Sequence, residues 1–405
     1  MIDPFALRLA AAQGGTHALI DLDALAGNIA YVRSLVPAGT ELMAVVKGNA
    51  YGHGLVPCGR AALAAGAQRL AVARVEEALL LRAAGVAAPI LVLGPATPAL
   101  ARAAAEAGIA LAVGSRAGLR RLLDALGDAP SPLALHLKVD TGMRRFGVEP
   151  AEAVALARAL AAEPRVRLEG VFTHFATADE PDEGFLREQA RRFAAVVHDL
   201  AAAGITPPLV HMANSAAILR GVVEVPAPGA TLAVRPGLIL YGLNPCPDRA
   251  LPAAVRPVLR LVTRLGRVFT VPAGDGISYG RTYVAPRPIR CATLPIGYAD
   301  GLARALSNQG WAVVDGAVCP IRGSVCMDQT VIEVEAAPRA AEGDPALLLS
   351  DGRDGAMTAD QVAHLTGTIS YEVVSRLAAR VPRVYLRAGR PVAVLDLFGL
   401  TEADA

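Results

Sequence analysis

The chain has 405 residues, of which 53% are hydrophobic and 19% are charged, and its formal net charge is +2. This near-neutral balance argues against a nucleic-acid or membrane-surface partner, and the length predicts about two or three domains. The five cysteines are scattered and form no C-x-x-C pair, which is typical of the cytoplasm. Two uncharged stretches, 83–101 and 200–219, contain several prolines, so neither is predicted to span a membrane.

Residues 17 to about 240 alternate short apolar runs with helical stretches, which predicts a parallel sheet with right-handed crossovers. The number of apolar runs favours a closed (β/α)₈ barrel of the TIM type over an open sheet. Nine strands are predicted: His17–Asp23, Leu42–Lys47, Arg69–Ala73, Ile90–Leu93, Ile109–Val113, Leu133–Val139, Leu168–His174, Leu209–Met212 and Leu232–Ile239. A barrel needs eight, and we expect the first strand, within residues 14–23, to pair with another domain.

The pattern changes after a proline-rich segment at 244–255. Beyond it, apolar runs such as Val258–Val271 and Trp311–Ile321 predict strands, with one helix near Tyr371–Ala379. The sequence therefore predicts a barrel domain over residues 1–250 and a mostly antiparallel β domain over residues 251–405.

The run from Ala44 to Gly54 carries the most chemical information. Lys47 ends an apolar strand and is followed by Gly48, Gly52 and Gly54. A lysine held rigidly and partly desolvated in this way has a lowered pKa and is suited to Schiff-base chemistry. Taken alone, such a lysine more often extends from a strand end into solvent, and it is the rest of the chain that favours the Schiff-base interpretation.

Other functional side chains also follow predicted strands, and the reactive groups of a parallel barrel gather at the carboxyl ends of its strands. Besides Lys47, they are Tyr51, Lys138, Arg145, His174, Ser215 and Arg235, with the Gly237 and Leu238 amides. Together they suggest a Schiff-base lysine, an anion cradle, and arginines for a carboxylate and a ring nitrogen.

Nine motifs carry a resemblance to a known family. They are 44–54, 138–147, Thr173-His174-Phe175-Ala176, Ala213-Asn214-Ser215, Val234-Arg235-Pro236-Gly237, Ser278-Tyr279-Gly280, 297–301, Cys326-Met327-Asp328 and Ser370-Tyr371-Glu372. In this order they resemble the bacterial alanine racemases, which use pyridoxal 5′-phosphate (PLP) and have fold type III. The resemblance extends from about residue 17 to about residue 398.

The resemblance implies catalytic roles for two residues. Lys47 would bind PLP as a Schiff base and exchange the α-proton of D-alanine. Tyr279 would exchange the proton of L-alanine from the opposite face, since racemisation needs a base on each side. Arg235 would face the pyridine nitrogen, with His174 hydrogen-bonded to it.

The same resemblance assigns the remaining site residues. It places Ser215, Gly237, Leu238, Tyr51 and Tyr371 around the cofactor phosphate, Arg145 and the Met327 amide at the substrate carboxylate, and Tyr298 and Asp328 in the entry channel. Lys138 corresponds to a lysine that is often carbamylated and then orients Arg145. Ser324 departs from the family, in which many members have an arginine nearby. No metal is expected, because the acidic run at 179–183 is typical of a solvated loop.

The implied function is the interconversion of L- and D-alanine, supplying D-alanine for peptidoglycan. The implied assembly is a homodimer whose active sites draw on both chains. A racemase of broader specificity remains an alternative. A fold-type III decarboxylase is less consistent with the sequence, because an acid would be expected in place of Arg235. A PLP-binding protein without racemase activity would lack the second domain.

Overall fold

The computed structural model describes residues 3–225 and 227–403. The predicted fold class is confirmed: eight parallel strands close into a barrel, and a mostly antiparallel β domain follows it. One strand, β1 (His17–Asp21), precedes the barrel. The barrel strands are β2 (Glu41–Val45), β3 (Arg69–Val72), β4 (Ile90–Pro95), β5 (Ile109–Val113), β6 (Leu133–Lys138), β7 (Val166–Phe172), β8 (Leu209–Asn214) and β9 (Thr231–Arg235).

Helices alternate with these strands and cover the barrel. The α-helices of this half are Leu22–Ser34, Leu55–Ala64, Val75–Ala83, Ala101–Glu106, Arg116–Leu126, Pro150–Ala161, Gly184–Ala202 and Ser215–Leu219. The first helix, Pro4–Gln13, instead packs on the sheet of the second domain, where Ala12 lies against Val384 and Val394. The helix Arg116–Leu126 illustrates the pattern, because the Ser115 hydroxyl caps its N-terminus while Leu119, Leu122 and Leu126 are buried. Inside the barrel a separate apolar cluster is rich in small residues, among them Ala71, Ala110 and Ala233.

The second domain is built on an eight-stranded sheet in the order β16-β15-β18-β10-β1-β19-β20-β21. Its strands, with those of two small sheets, are β10 (Leu259–Arg264), β11 (Arg267–Val271), β12 (Gly276–Ile277), β13 (Tyr283–Val284), β14 (Ile289–Leu294), β15 (Trp311–Val314), β16 (Ala317–Pro320), β17 (Thr330–Glu333), β18 (Pro345–Leu349), β19 (Arg383–Arg387), β20 (Arg390–Asp396) and β21 (Gly399–Glu402). Strand β1 lies in its middle, antiparallel to β10 and parallel to β19. The chain therefore starts in the second domain's sheet before it enters the barrel.

Within the second domain the predicted elements needed correction. The strand predicted at 258–271 is two strands in different sheets, since β10 pairs with β1 and β18 whereas β11 pairs with β14. The strand predicted at 311–321 is a hairpin of the antiparallel strands β15 and β16. At Asp315 and Gly316 φ is +48° and +75°, the left-handed pair of a tight hairpin. The helix predicted near 371–379 spans Ser370–Ser375, and a second helix, Ala359–Thr366, precedes it.

An unusual turn follows β2 and carries Lys47 at its start. Gly48, Asn49, Ala50 and Tyr51 all have φ between +52° and +63°, which makes one turn of left-handed helix. Each non-glycine residue in this conformation costs about 1–2 kcal/mol. The turn is supported locally, because the Ala50 amide donates to the Val46 carbonyl at 2.8 Å and the Asn49 side chain accepts from the Leu55 amide at 2.8 Å.

The second domain holds the end of this turn. The buried Arg383 side chain donates to the Gly52 carbonyl at 3.0 Å, and the Tyr385 hydroxyl donates to the His53 carbonyl at 3.0 Å. A methyl group on Gly52 would overlap the Val374 carbonyl, and one on Gly54 would overlap the Tyr385 hydroxyl. Contact between the two domains therefore depends on a backbone without side chains at these two positions.

This packing can be tested with two matched glycine substitutions. Gly52 and Gly85 have similar φ values, +86° and +81°, but a Cβ on Gly85 would meet nothing within 4 Å. Gly85→Ala should lower the free energy of unfolding by about 1–2 kcal/mol through backbone strain alone. Gly52→Ala should cost about 1–3 kcal/mol more through overpacking, measured by urea denaturation. Equal losses would contradict the proposed interdomain constraint.

Candidate active site

A cavity of about 1000 Å³ opens at the carboxyl ends of the barrel strands. Most of the residues singled out in the sequence line it: Lys47, Tyr51, Lys138, Arg145, His174, Ser215, Arg235, Gly237, Leu238 and Tyr371. Nearly all come from the loops that follow β2, β6, β7, β8 and β9 or from the last residues of these strands, whereas Tyr371 belongs to the second domain. Parallel strands bring these distant segments to a single rim.

Lys47 and Lys138 are the only two lysines among the 405 residues, and both line this cavity. Burial is the main cause that lowers the pKa of Lys47, and the neighbouring Arg145 adds to it. Burial lowers the pKa of Lys138 more strongly, with Arg235 as the next cause. An arginine cannot lose its proton at neutral pH, so Lys47 and Lys138 are the two side chains of the sequence that can supply an amine base. The sequence alone shows that there are only two lysines, but the prediction of the site did not use this fact.

Arg235 is only 3% exposed and is held by four acceptors. Its guanidinium contacts the Thr173 carbonyl at 2.7 Å, the Met212 carbonyl at 2.9 Å and His211 Nδ1 at 2.8 Å. His174, the predicted partner, is farther away at 3.4 Å. His211 was missed as the closer partner, although the alternation of β8 places it on the same inward face as Leu209.

An anion cradle lies beside the lysines. The Ser215 hydroxyl accepts a hydrogen bond from the Gly237 amide at 2.9 Å, and a Cβ on Gly237 would lie 2.6 Å from the Tyr51 hydroxyl. Burial raises the pKa of Tyr51, and it raises the pKa of Tyr371 to about 12. Both phenols therefore stay protonated and can donate to an anion such as a phosphate. The chemistry of this donor set fits the cofactor implied by the sequence.

The remaining predicted residues do not line the cavity. Tyr279, Tyr298, Met327 and Asp328 lie on an exposed surface of the second domain, and Tyr279 is 76% exposed. The Ser324 hydroxyl donates to the Tyr279 carbonyl at 3.0 Å. The serine that departs from the family pattern therefore contacts the backbone of Tyr279. Asp328 is paired with Arg380 at 2.7 Å.

The residue before Tyr279 has a strained backbone conformation. Ser278 has φ +62° and ψ −173°, a region essentially restricted to glycine. Its hydroxyl donates to the Ser324 carbonyl at 2.7 Å, which holds the strained residue in place. Strain of this kind is concentrated at functional positions and supports a role for the tyrosine that follows.

The described residues lack the features of two other classes of protein. Within 3–225 and 227–403, no group of three or more histidine, cysteine, aspartate or glutamate side chains has the arrangement of a metal site. In the same part of the chain, no helix has the length and apolar character needed to cross a bilayer.

The fold and the cavity define a class. A lysine at a barrel-strand end, a phosphate-type cradle and a buried arginine, joined to a β domain, are the arrangement of a PLP-binding barrel enzyme. Residues 20–245 match the family model "Alanine racemase, N-terminal domain". Residues 258–385 match the family model "Alanine racemase, C-terminal domain". The chain belongs to the alanine racemase family, which is PLP-dependent.

Individual relatives agree with this assignment. The chain is 42% identical to an alanine racemase of Desulfovibrio desulfuricans, over 91% of this chain and 97% of that protein. It is 43% identical to an alanine racemase of Geobacillus stearothermophilus, over 96% and 98%. Among solved structures, alanine racemase from Bacillus anthracis with bound L-Ala-P is 39% identical and superposes with a TM-score of 0.88, covering 95% of this chain and 98% of that chain.

The two lysines allow a direct test of the cofactor position. Protein loaded with PLP and reduced with borohydride should carry the pyridoxyl label on Lys47, since this lysine lines the cavity together with Ser215 and Gly237 and burial lowers the pKa of its amine. Peptide mass mapping needs to distinguish only two candidate peptides. Lys138→Arg should keep the label and Lys47→Arg should lose it. A label on Lys138 in the unaltered protein would contradict this position.

Proposed function

We propose that this protein interconverts L- and D-alanine with PLP bound in the barrel cavity. The observation that carries the proposal is the location of both lysines of the chain beside a phosphate-type cradle. Membership in the alanine racemase family supports the same reaction. We further propose that residues 1–250, apart from the segment 14–23 that pairs with the second domain, act as the cofactor domain and residues 251–405 as the tyrosine-bearing domain.

Five residues would hold the cofactor phosphate: Ser215, Gly237, Leu238, Tyr51 and Tyr371. Lys47 would hold PLP covalently. When bound, PLP withdraws electrons from a substrate attached through its amino group and so makes the Cα–H bond acidic. The residues around it must then move the proton and restrict side reactions.

Lys47 and Tyr279 would be the two bases. Burial and the neighbouring Arg145 lower the pKa of Lys47, which favours the neutral amine that accepts a proton from one face of Cα. Tyr279 would serve the opposite face, taking the proton of L-alanine while Lys47 takes that of D-alanine. Inversion requires that one residue removes a proton and the other returns one.

Arg235 would face the pyridine nitrogen. Its guanidinium donates hydrogen bonds and accepts none, so it would leave the ring nitrogen unprotonated. An unprotonated ring withdraws fewer electrons than a protonated one. This would limit transamination and decarboxylation, reactions that depend on a long-lived carbanion.

Arg145 and the Met327 amide would bind the substrate carboxylate. The Lys138 amine lies in the same cavity, and its Nζ is 4.7 Å from the centre of the Phe172 ring. We propose that Lys138 is carbamylated, because burial lowers the pKa of its amine and so favours the form that attacks CO₂; a proton is released to solvent, and the resulting anion would offset the nearby arginines. Protein exposed to ¹³C-bicarbonate should show one carbamate carbon resonance. The Lys138→Arg variant should lack that resonance, and its persistence would contradict the proposal.

Substrate choice gives the test of the function. Tyr298 and Asp328 would line the entry channel, and the Tyr371 ring borders the cavity. One extra methylene typically changes discrimination by about 1–3 kcal/mol, so alanine should be the best substrate, and 2-aminobutyrate and serine should be slow rather than excluded. The measurement is chiral chromatography of several amino acids after incubation with the PLP-loaded protein. Faster racemisation of lysine or arginine would instead favour the broader-specificity alternative.

We propose that the working unit is a homodimer with shared sites. The support is that Tyr279 and Met327 are exposed and lie outside the cavity that holds Lys47. A two-fold dimer is the commonest closed assembly and would give two equivalent sites. The unpaired state of all five cysteines is consistent with the cytoplasm, where D-alanine for peptidoglycan would be made.

Mixed dimers test the shared site. Lys47→Ala and Tyr279→Phe homodimers should each be nearly inactive, because each lacks one base in both sites. After subunit exchange, a mixed dimer should regain activity, since one of its sites has both bases. Each variant incubated alone under the same exchange conditions is the control. Proven exchange without recovered activity would place both bases in one chain.

A further inference from the structure

The charge of Arg235 has no local counter-ion. The guanidinium is buried, and among the described residues no carboxylate pairs with it; its contacts are carbonyls and imidazoles. The charged side chains that share its cavity are the basic residues Lys47, Lys138 and Arg145 and the acidic residues Asp179 and Asp360, and neither aspartate is hydrogen-bonded or ion-paired to Arg235 among the described residues. A buried charge normally needs a compensating partner.

A row of hydrogen-bonding side chains leads from Arg235 through the barrel. Arg235 contacts His211 Nδ1 at 2.8 Å, and His211 Nε2 lies 2.9 Å from His136 Nδ1. His136 Nε2 lies 3.7 Å from a carboxylate oxygen of Glu169, a contact longer than a full hydrogen bond. We call Arg235, His211, His136 and Glu169 the histidine relay.

The proton positions in the relay follow from its two ends. Arg235 can only donate, so His211 Nδ1 must accept, and the proton of a neutral His211 is then on Nε2. His136 Nδ1 must in turn accept, which leaves the proton of His136 on Nε2, towards Glu169. Every link therefore has the same direction, from a fixed cation to a fixed anion.

The surrounding packing keeps the two imidazoles in this path. A Cβ on Gly170 would lie 2.5 Å from His136 Nδ1, so the contact between the histidines requires glycine there. The Phe172 ring stacks on His211 with centroids 4.7 Å apart. Both histidines are fully buried, and burial lowers the pKa of each, which keeps them neutral.

Glu169 lies at the opposite end of the barrel from the cavity. Its partners there are Arg69 at 2.8 Å and Arg167 at 2.9 Å, and Arg69 also pairs with Glu41 at 2.5 Å. His136, Arg167 and Arg69 together lower the pKa of Glu169 to about 2, so it is an anion at neutral pH. Glu169 is therefore the anionic end of the relay.

We propose that Glu169 is a positioning residue for the reaction: through His136 and His211 its carboxylate acts as the remote counter-charge of Arg235. This inference rests on the proposed role of Arg235 at the cofactor ring. A network at the amino ends of barrel strands would otherwise be assigned to stability alone. Under the proposal, it also sets how strongly Arg235 donates to the pyridine nitrogen.

Imidazole NMR tests the relay itself. Labelling with ¹⁵N-histidine gives seven side chains, of which His136 and His211 should show protonated Nε2 and unprotonated Nδ1. In Glu169→Gln the Nε2–H resonance of His136 should shift upfield, and that of His211 should shift in the same direction by less. Glu41→Gln is the matched control, because it removes the other carboxylate of Arg69 but does not touch His136; it should leave both resonances in place. A shift confined to His136, or equal shifts in the control, would overturn the proposal.

A second measurement separates the relay from the proposed role of Arg235. Protein loaded with ¹⁵N-pyridine-labelled PLP should show the ring nitrogen shifting upfield in Glu169→Gln, since a less compensated guanidinium donates more strongly. A shift of His211 with no change at the ring nitrogen would mean that Arg235 does not face the ring, and it would overturn this proposal too.

If Glu169→Gln does not fold, Glu169→Asp is the substitute: it keeps the charge but shortens the reach to His136, so the same upfield shifts are expected. Unchanged His136 and His211 resonances in that variant would overturn the proposal.

Discussion

The site depends on the hydrogen bonds that the second domain makes to the loop after Lys47. A left-handed turn is costly, and here it persists because Arg383 and Tyr385 hold the carbonyls of the two residues that follow it. Arg383 itself is buried and also donates to the Ala378, Val381 and Leu377 carbonyls, so it links the second domain to the loop through a rigid side chain. Lys47 is therefore positioned by both domains, although it belongs to the barrel.

The connection between the domains is reinforced at a second point. Strand β1 lies in the sheet of the second domain, whereas the helix that follows it, Leu22–Ser34, packs on the barrel side. The Asn28 side chain in that helix donates to the Leu240 carbonyl at 3.0 Å and to the Arg256 carbonyl at 2.8 Å. The segment thus contacts the end of the barrel and the start of the second domain at once. The order of elements along the chain makes separate movement of the two domains costly.

The sequence predicted much of this arrangement, and the limits have physical causes. The barrel followed from regular alternation, and the nine apolar runs were informative because an eight-stranded barrel cannot contain all of them. The break between β10 and β11 at 265–266 and the hairpin turn at 315–316 were missed because continuous apolar runs conceal an interruption of two residues. The cavity residues were recognised through motifs, but His211 and Glu169 were not, since each is an ordinary strand residue whose significance appears only when neighbouring strands are paired. The positions of Tyr279 and Met327 relative to the cavity depend on folding across domains, which local patterns do not encode.

The choice between lysine and arginine connects the composition to the electrostatics. The chain uses arginine for nearly all of its basic positions and has lysine only at 47 and 138. Arginine tolerates burial while remaining charged, and Arg235 does so with backbone carbonyls and neutral imidazoles as its acceptors. The same environment lowers the pKa of a lysine, chiefly through burial and then through the neighbouring arginines. The cavity therefore combines fixed cations, which orient anionic groups, with two amines of lowered pKa. The positive charge of the cavity therefore has two effects. It favours binding of carboxylate and phosphate groups, and together with burial it lowers the pKa of the two lysine amines.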